Sequence, residues 1–160
     1  MITSFIESMR FVGHLLPISL LRIYLGYFYL HQALSKLNGD FLLRPRIAAQ
    51  IADWLPAAQI PAWYKNILEF IVIPNWQYVA FMIMALQFAV GISYLLGYLV
   101  RPMAVIAFFM ALQGLSMSFL GLEDMQRLFM ATHLTLAWVG AGRCLGVDYY
   151  FFKRRRGIWW

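Results

Sequence analysis

Four separate apolar stretches in this 160-residue chain are each close to the length that crosses a bilayer, and that limits the fold more than any other feature. They cover residues 15–34, 77–99, 103–120 and 128–146. A backbone in hydrocarbon must satisfy its own N–H and C=O groups, so each stretch is expected to be helical. Only short polar turns join the last three, which makes those helices antiparallel neighbours. The expected architecture is an all-α membrane protein, a four-helix transmembrane bundle forming one domain over residues 1–160. The composition, 62% hydrophobic with only 12% charged residues, lies outside the soluble globular range.

Residues 39–75 depart from this pattern. They are apolar, yet Pro45, Pro56, Pro61 and Pro74 interrupt them, and Trp54, Trp63 and Tyr64 stud them. That mixture suits short interfacial helices between the first and second spans. A partial fifth span over residues 60–73 is the rival reading, and Lys65, Asn66 and Glu69 weigh against it. Arg10, Arg101, Arg143 and the cluster Lys153, Arg154, Arg155 and Arg156 fall on the side shared by both termini. An excess of Lys and Arg marks the cytoplasmic side, so both termini are expected there and the aromatic segment outside. The net charge of +6 forms no stripe for nucleic acid; the basic tail at 149–160 suits anionic lipid headgroups. Cys144 is the single cysteine, which excludes an internal disulfide and a CxxC pair.

Polar side chains within the spans are the candidates for chemistry. At about 1.5 Å of rise per residue, His31 lies near the outer end of the first span and Gln87 near the middle of the second. Gln113 and His133 lie in the outer halves of the third and fourth. Gln87, Gly91, Tyr94 and Tyr98 share one helical face, as do His133, Ala137, Gly140 and Cys144. On the first helix Tyr24, Phe28, His31 and Ser35 form one face, with Arg22, Gly26 and Tyr29 on the adjacent one. A pocket of His, Gln, Tyr and Phe suits a flat amphipathic ligand such as a quinone headgroup, with histidine handling protons. The candidates are His31, Gln87, Gln113, His133 and Tyr94, each of which also has a structural reading as interhelical hydrogen bonding or interfacial anchoring. No Asp or Glu occurs within the four spans, so a non-haem metal centre is not expected. A haem held by His31 and His133 is the remaining cofactor alternative. Lys36 and Arg101, at span ends, read as anchors that reach the headgroups. Arg22 resists that reading, lying roughly 10 Å inside the first span. Its candidate partners are tyrosine hydroxyls, backbone carbonyls, a lipid phosphate, Asp148 or an anionic ligand; Arg22, Arg143 and Asp148 together make an anion- or lipid-pairing set.

Three segments carry a family resemblance: LLRIYLGYFYLHQALSKL on the first helix, LQFAVGISYLLGYLVRP across the second, and GAGRCLGVD closing the fourth. In order and spacing they resemble the DoxX/DoxD-like family of small bacterial and archaeal membrane proteins. The likeness covers residues 20–148, and Arg22, Gly26, Lys36, Gly91, Gly97, Arg101, Gly142, Arg143 and Asp148 match family positions. It implies a four-helix bundle in the cytoplasmic membrane; some members are subunits of thiosulfate:quinone oxidoreductase, others are linked to oxidative-stress or membrane redox assemblies, and many have no assigned activity. The chain departs from the pattern at Gln87, where the family often has a glutamate. Losing that ionisable group favours binding or an accessory scaffold role among other membrane subunits.

Overall fold

A computed structural model describes residues 15–56, 58, 60–116 and 123–154. Arg10, Arg155, Arg156 and the end of the third apolar stretch lie outside the described residues, so the expectations made for them do as well. Among the described residues the protein is all-helical, without strands. Helix α1 spans Leu16–Asn38, α2 Arg46–Trp54, α3 Ala62–Ile67, α4 Trp76–Leu96, α5 Val100–Ser116, α6 Glu123–Val139 and α7 Asp148–Arg154.

Local chemistry sets the boundaries. Pro17 lies in the first turn of α1, where its fixed φ suits the helix and its missing N–H removes no intrahelical bond. Helix α4 stops at Gly97, whose φ of +65° is left-handed, and α5 begins three residues later. Helix α6 stops at Gly140, with φ +68°, well before the expected end of the fourth span at Gly146. A 3₁₀ turn over Ala141–Arg143 then leads towards α7. Between α1 and α4 the chain forms the two short helices α2 and α3. Helix α3 continues into a π-helical turn over Leu68–Val72, where the Ile73 N–H donates to the Leu68 carbonyl at 2.9 Å.

By length and apolarity taken alone, α4 is the one helix among the described residues that qualifies as a membrane span. Helix α5 is apolar but shorter. Helix α1 carries Arg22 and Lys36, and α6 opens with Glu123 and Asp124.

The main packing pairs are α1 with α4 and α5 with α6, and α4 also meets α5. Small residues bring α1 and α4 together. A Cβ added at Gly26 would lie 2.8 Å from the Leu95 nitrogen, and one at Gly91 would lie 2.9 Å from the Leu30 nitrogen. The two helices run antiparallel, so four residues up α1 correspond to four residues down α4. Leu25, Tyr29, Val90, Tyr94, Val100, Ala104, Ala107, Leu136 and Ala141 form the core at this junction.

Candidate functional site

The α1–α4 seam carries three polar layers. At the Asn38 end, Lys36 turns along the seam. Its Nζ donates to Gln87 Oε1 at 2.7 Å and to Gln32 Oε1 at 3.3 Å, and it lies 5.4 Å from the centre of the Phe41 ring. This corrects the expectation of Lys36 as a simple headgroup anchor: the buried Gln87 amide holds the ammonium against the bundle. A cavity of about 350 Å³ opens beside it, lined by Phe28, His31, Gln32, Ser35 and Lys36. Because Lys36 occupies the Gln32 carbonyl, the Gln32 N–H₂ group, the Ser35 hydroxyl and the ammonium leave a wall rich in donors. Such a wall recognises a ligand bearing carbonyl or anionic oxygens, and Phe28 offers an aromatic face.

The middle layer lies two helical turns along. His133 on α6 is bonded through both ring nitrogens, Nε2 to the Tyr29 hydroxyl at 2.7 Å and Nδ1 to the Tyr94 hydroxyl at 2.9 Å. His133 and Tyr94 are fully buried and Tyr29 nearly so. Phe129, one turn before His133, stacks on the imidazole with ring centres 6.2 Å apart. Phe28 packs against both Tyr29 and Phe129, so one aromatic ring separates this layer from the cavity. With both nitrogens taken by phenols, His133 has none to give an iron, and the haem alternative loses a ligand.

Arg22 supplies the third layer. Of the partners open to it, the fold selects backbone carbonyls. Nη1 donates to Ala141 O at 2.8 Å and Cys144 O at 3.3 Å, and Nη2 donates to Leu145 O at 2.9 Å. Ser19 Oγ adds a bond to Ala141 O. The side chain therefore clasps the turn after α6, where carbonyls have no helical partner. Gly97 and Gly146 leave room for the guanidinium; a Cβ at Gly97 would lie 2.5 Å from Nη1. Asp148 does not bond Arg22 directly. Its carboxylate accepts from the Leu99 and Val100 N–H groups at 2.8 and 3.1 Å, fixing the start of α5. Burial pushes the Asp148 carboxyl above its ordinary range, opposed by these two N–H bonds and by the charges of Arg22 and Arg143. The Arg143 guanidinium lies 4.1 Å from the centre of the Phe152 ring. Burial and the neighbouring Arg101 lower its pKa, while Asp148 raises it.

These placements separate residues that the sequence reading gathered into one pocket. His133 and Tyr94 sit together in the core, Gln87 and His31 belong to the Lys36 layer, and His31 is exposed. Gln113 is elsewhere, exposed on α5 and bonded to Tyr64 of α3. Burial raises the Tyr64 phenol, and this bond opposes the shift. Tyr29 was absent from the candidates, yet it completes the His133 pair.

The comparison with known families is decisive for membership. The model of the family described as TQO small subunit DoxD matches residues 17–158. The chain belongs to the DoxD family. No curated protein and no solved structure matches it. Membership places this DoxD chain among membrane subunits of oxidoreductase complexes. All three polar layers lie within the matched residues.

Tyr29 could have been found from the sequence. Arg22, Gly26, Tyr29 and Ala33 follow the i, i+4, i+7, i+11 spacing that identified the buried face of α4. All four are buried, whereas Tyr24, His31 and Ser35 of the competing face are exposed.

Proposed function

We propose that this DoxD chain is the quinone-binding membrane subunit of a thiosulfate:quinone oxidoreductase-type complex. On this reading α1, α4, α5 and α6 each cross the cytoplasmic membrane of a bacterium or archaeon as one domain. The α2–α3 segment lies at the outer face. Both termini are cytoplasmic, and the basic tail meets anionic headgroups. Single-helix length and apolarity favour α4 alone. What favours four spans is that Arg22 and Lys36 of α1 and His133 of α6 are met by partners within the bundle.

One observation carries the quinone assignment. The cavity of about 350 Å³ at the outer end of α1 sets donors from Gln32, Ser35 and Lys36 beside the Phe28 ring, along one face of the helix. That arrangement matches a planar ring with a carbonyl oxygen at its edge. The ammonium donates to the oxygen, and the aromatic wall contacts the ring.

The complex, purified from native membranes in mild detergent, is expected to carry quinone recoverable by solvent extraction. Lys36→Met removes a charge-assisted donor and is expected to weaken quinone retention about tenfold or more. Absence of quinone from the wild-type complex, or full retention by the variant, would refute the assignment.

A second reading, an accessory subunit that docks partners, draws on a different place. A cleft of about 400 Å³ between α2 and the π-helical turn is lined by Leu55, Pro56, Lys65 and Glu69 among others. Native electrophoresis separates the two, since the accessory reading requires a larger assembly that survives loss of quinone.

A further inference from the structure

The Tyr29–His133–Tyr94 layer holds more hydrogens than it has bonds for. A neutral imidazole carries one N–H and one bare nitrogen. The N–H donates to one tyrosine oxygen, and the bare nitrogen accepts from the other tyrosine O–H. The tyrosine that accepts therefore still has its own O–H hydrogen to place. Neither hydroxyl has a second partner among the described residues. A buried donor without an acceptor costs about 1–3 kcal/mol, so this hydrogen is the one most readily handed to an acceptor that reaches it.

Two arrangements satisfy the same heavy-atom geometry. With the proton on Nε2, His133 donates to Tyr29, Tyr94 donates to Nδ1, and the Tyr29 hydrogen is free. With the proton on Nδ1 the pattern reverses, and the Tyr94 hydrogen is free. The near-equal separations of 2.7 and 2.9 Å, to two residues of the same type, set little between the two states.

We propose that Tyr29, His133 and Tyr94 form a relay that passes one proton across the bundle interior by switching the His133 tautomer. In the forward step the Phe28 ring, which separates Tyr29 from the cavity, swings aside, and a ligand oxygen acting as a base takes the free Tyr29 hydrogen. The Nε2–H bond breaks and its proton re-forms the Tyr29 O–H. The Tyr94 O–H breaks and its proton forms Nδ1–H. Because Tyr94 is fully buried, a transient opening of the core admits the water that supplies the proton re-forming the Tyr94 hydroxyl and leaves as hydroxide. No electrons move, all three side chains stay neutral, and the net change is one proton carried from water to the ligand. The relay is left in its other state, ready for the reverse transfer or for reset by tautomer exchange. The ligand end rests on the quinone reading above, because Phe28 lines that cavity and touches Tyr29. The two tautomers do not depend on it.

The test uses ¹⁵N-histidine-labelled chain in lipid nanodiscs, read by solid-state NMR. The chain has three histidines, and the His133 signals are those lost in His133→Gln. The wild type is expected to show both His133 tautomers in exchange. Tyr29→Phe keeps the ring but removes the partner of Nε2; the Tyr94 O–H, a better donor than an imidazole N–H, then donates to Nδ1, so the proton is expected on Nε2. Tyr94→Phe is expected to give the opposite tautomer. A purely structural triad would hold one tautomer in the wild type and keep it in both variants, and that result overturns the relay.

In the quinone-reducing complex, each Phe variant is expected to lower turnover about a hundredfold. Quinone content should stay within about twofold, because neither hydroxyl lines the cavity. Unchanged turnover with locked tautomers overturns the relay as well. If the wild-type complex carries no quinone, the quinone assignment fails, while the tautomer pattern still decides the relay. Should either variant fail to fold, the wild-type spectrum decides on its own: one static tautomer rejects the proposal.

Discussion

A guanidinium that bonds three main-chain carbonyls does the work of a helix cap at a distance. The carbonyls of Ala141, Cys144 and Leu145 follow the end of α6, where no helical N–H reaches them, and Arg22 gathers all three into one planar fork. Removing it leaves buried acceptors unpaired. Arg22→Met is expected to cost about 3 kcal/mol or more, as a lower melting temperature in detergent. Arg22→Lys should recover little, since one ammonium cannot span the carbonyls from 141 to 145. A methionine variant as stable as the wild type would show that the clasp is idle. The sequence marked Arg22 as exceptional because it lies deep and no acidic residue shares its span. Backbone carbonyls were among its candidate partners, but which ones was not legible, because carbonyls leave no signature in residue type and these lie 119 to 123 positions away.

At the scale of elements, α1 and α4 meet through glycine. The closeness of Gly91 to the Leu30 nitrogen leaves no room for a methyl group. Gly91→Ala is expected to force the helices apart and to cost about 1–3 kcal/mol. The Tyr94–His133 bond lies one turn further along α4, so the same substitution should also shift the His133 signals. Wild-type stability and unmoved signals in the variant would mean that the seam tolerates the wedge. The start of α4 was legible to within one residue of the expected 77–99, because its apolar run is continuous, but Gly97 ends it earlier than the Arg101–Pro102 pair, which lies inside α5. The inner face of α1 was harder. Tyrosines and leucines occur all round it, so polarity does not distinguish the sides, and only the small residues Gly26 and Ala33 do. Beyond Gly97 and Gly140 the stripes of α4 and α6 lost their meaning. Tyr98 and Cys144 lie past the helix ends, where a helical projection no longer applies.

For the whole molecule, family membership and the four apolar stretches agree on the membrane, and the topology is open to a direct test. The native Cys144 is buried, so single cysteines elsewhere report cleanly. On the proposed orientation, Arg154→Cys should react with an impermeant maleimide only in inside-out vesicles, and Asp40→Cys only in right-side-out ones. The opposite pattern would invert the protein. The clasp at Arg22 adds a demand of a different kind, one of timing. A ribosome making this chain delivers Arg22 to the membrane about 120 residues before it makes Ala141, Cys144 and Leu145. On the proposed topology the guanidinium waits until then without its final acceptors. The turn after α6 is thus made late and is the part that lets α1 settle, so a nascent chain cut before Ala141 leaves its first helix unfinished.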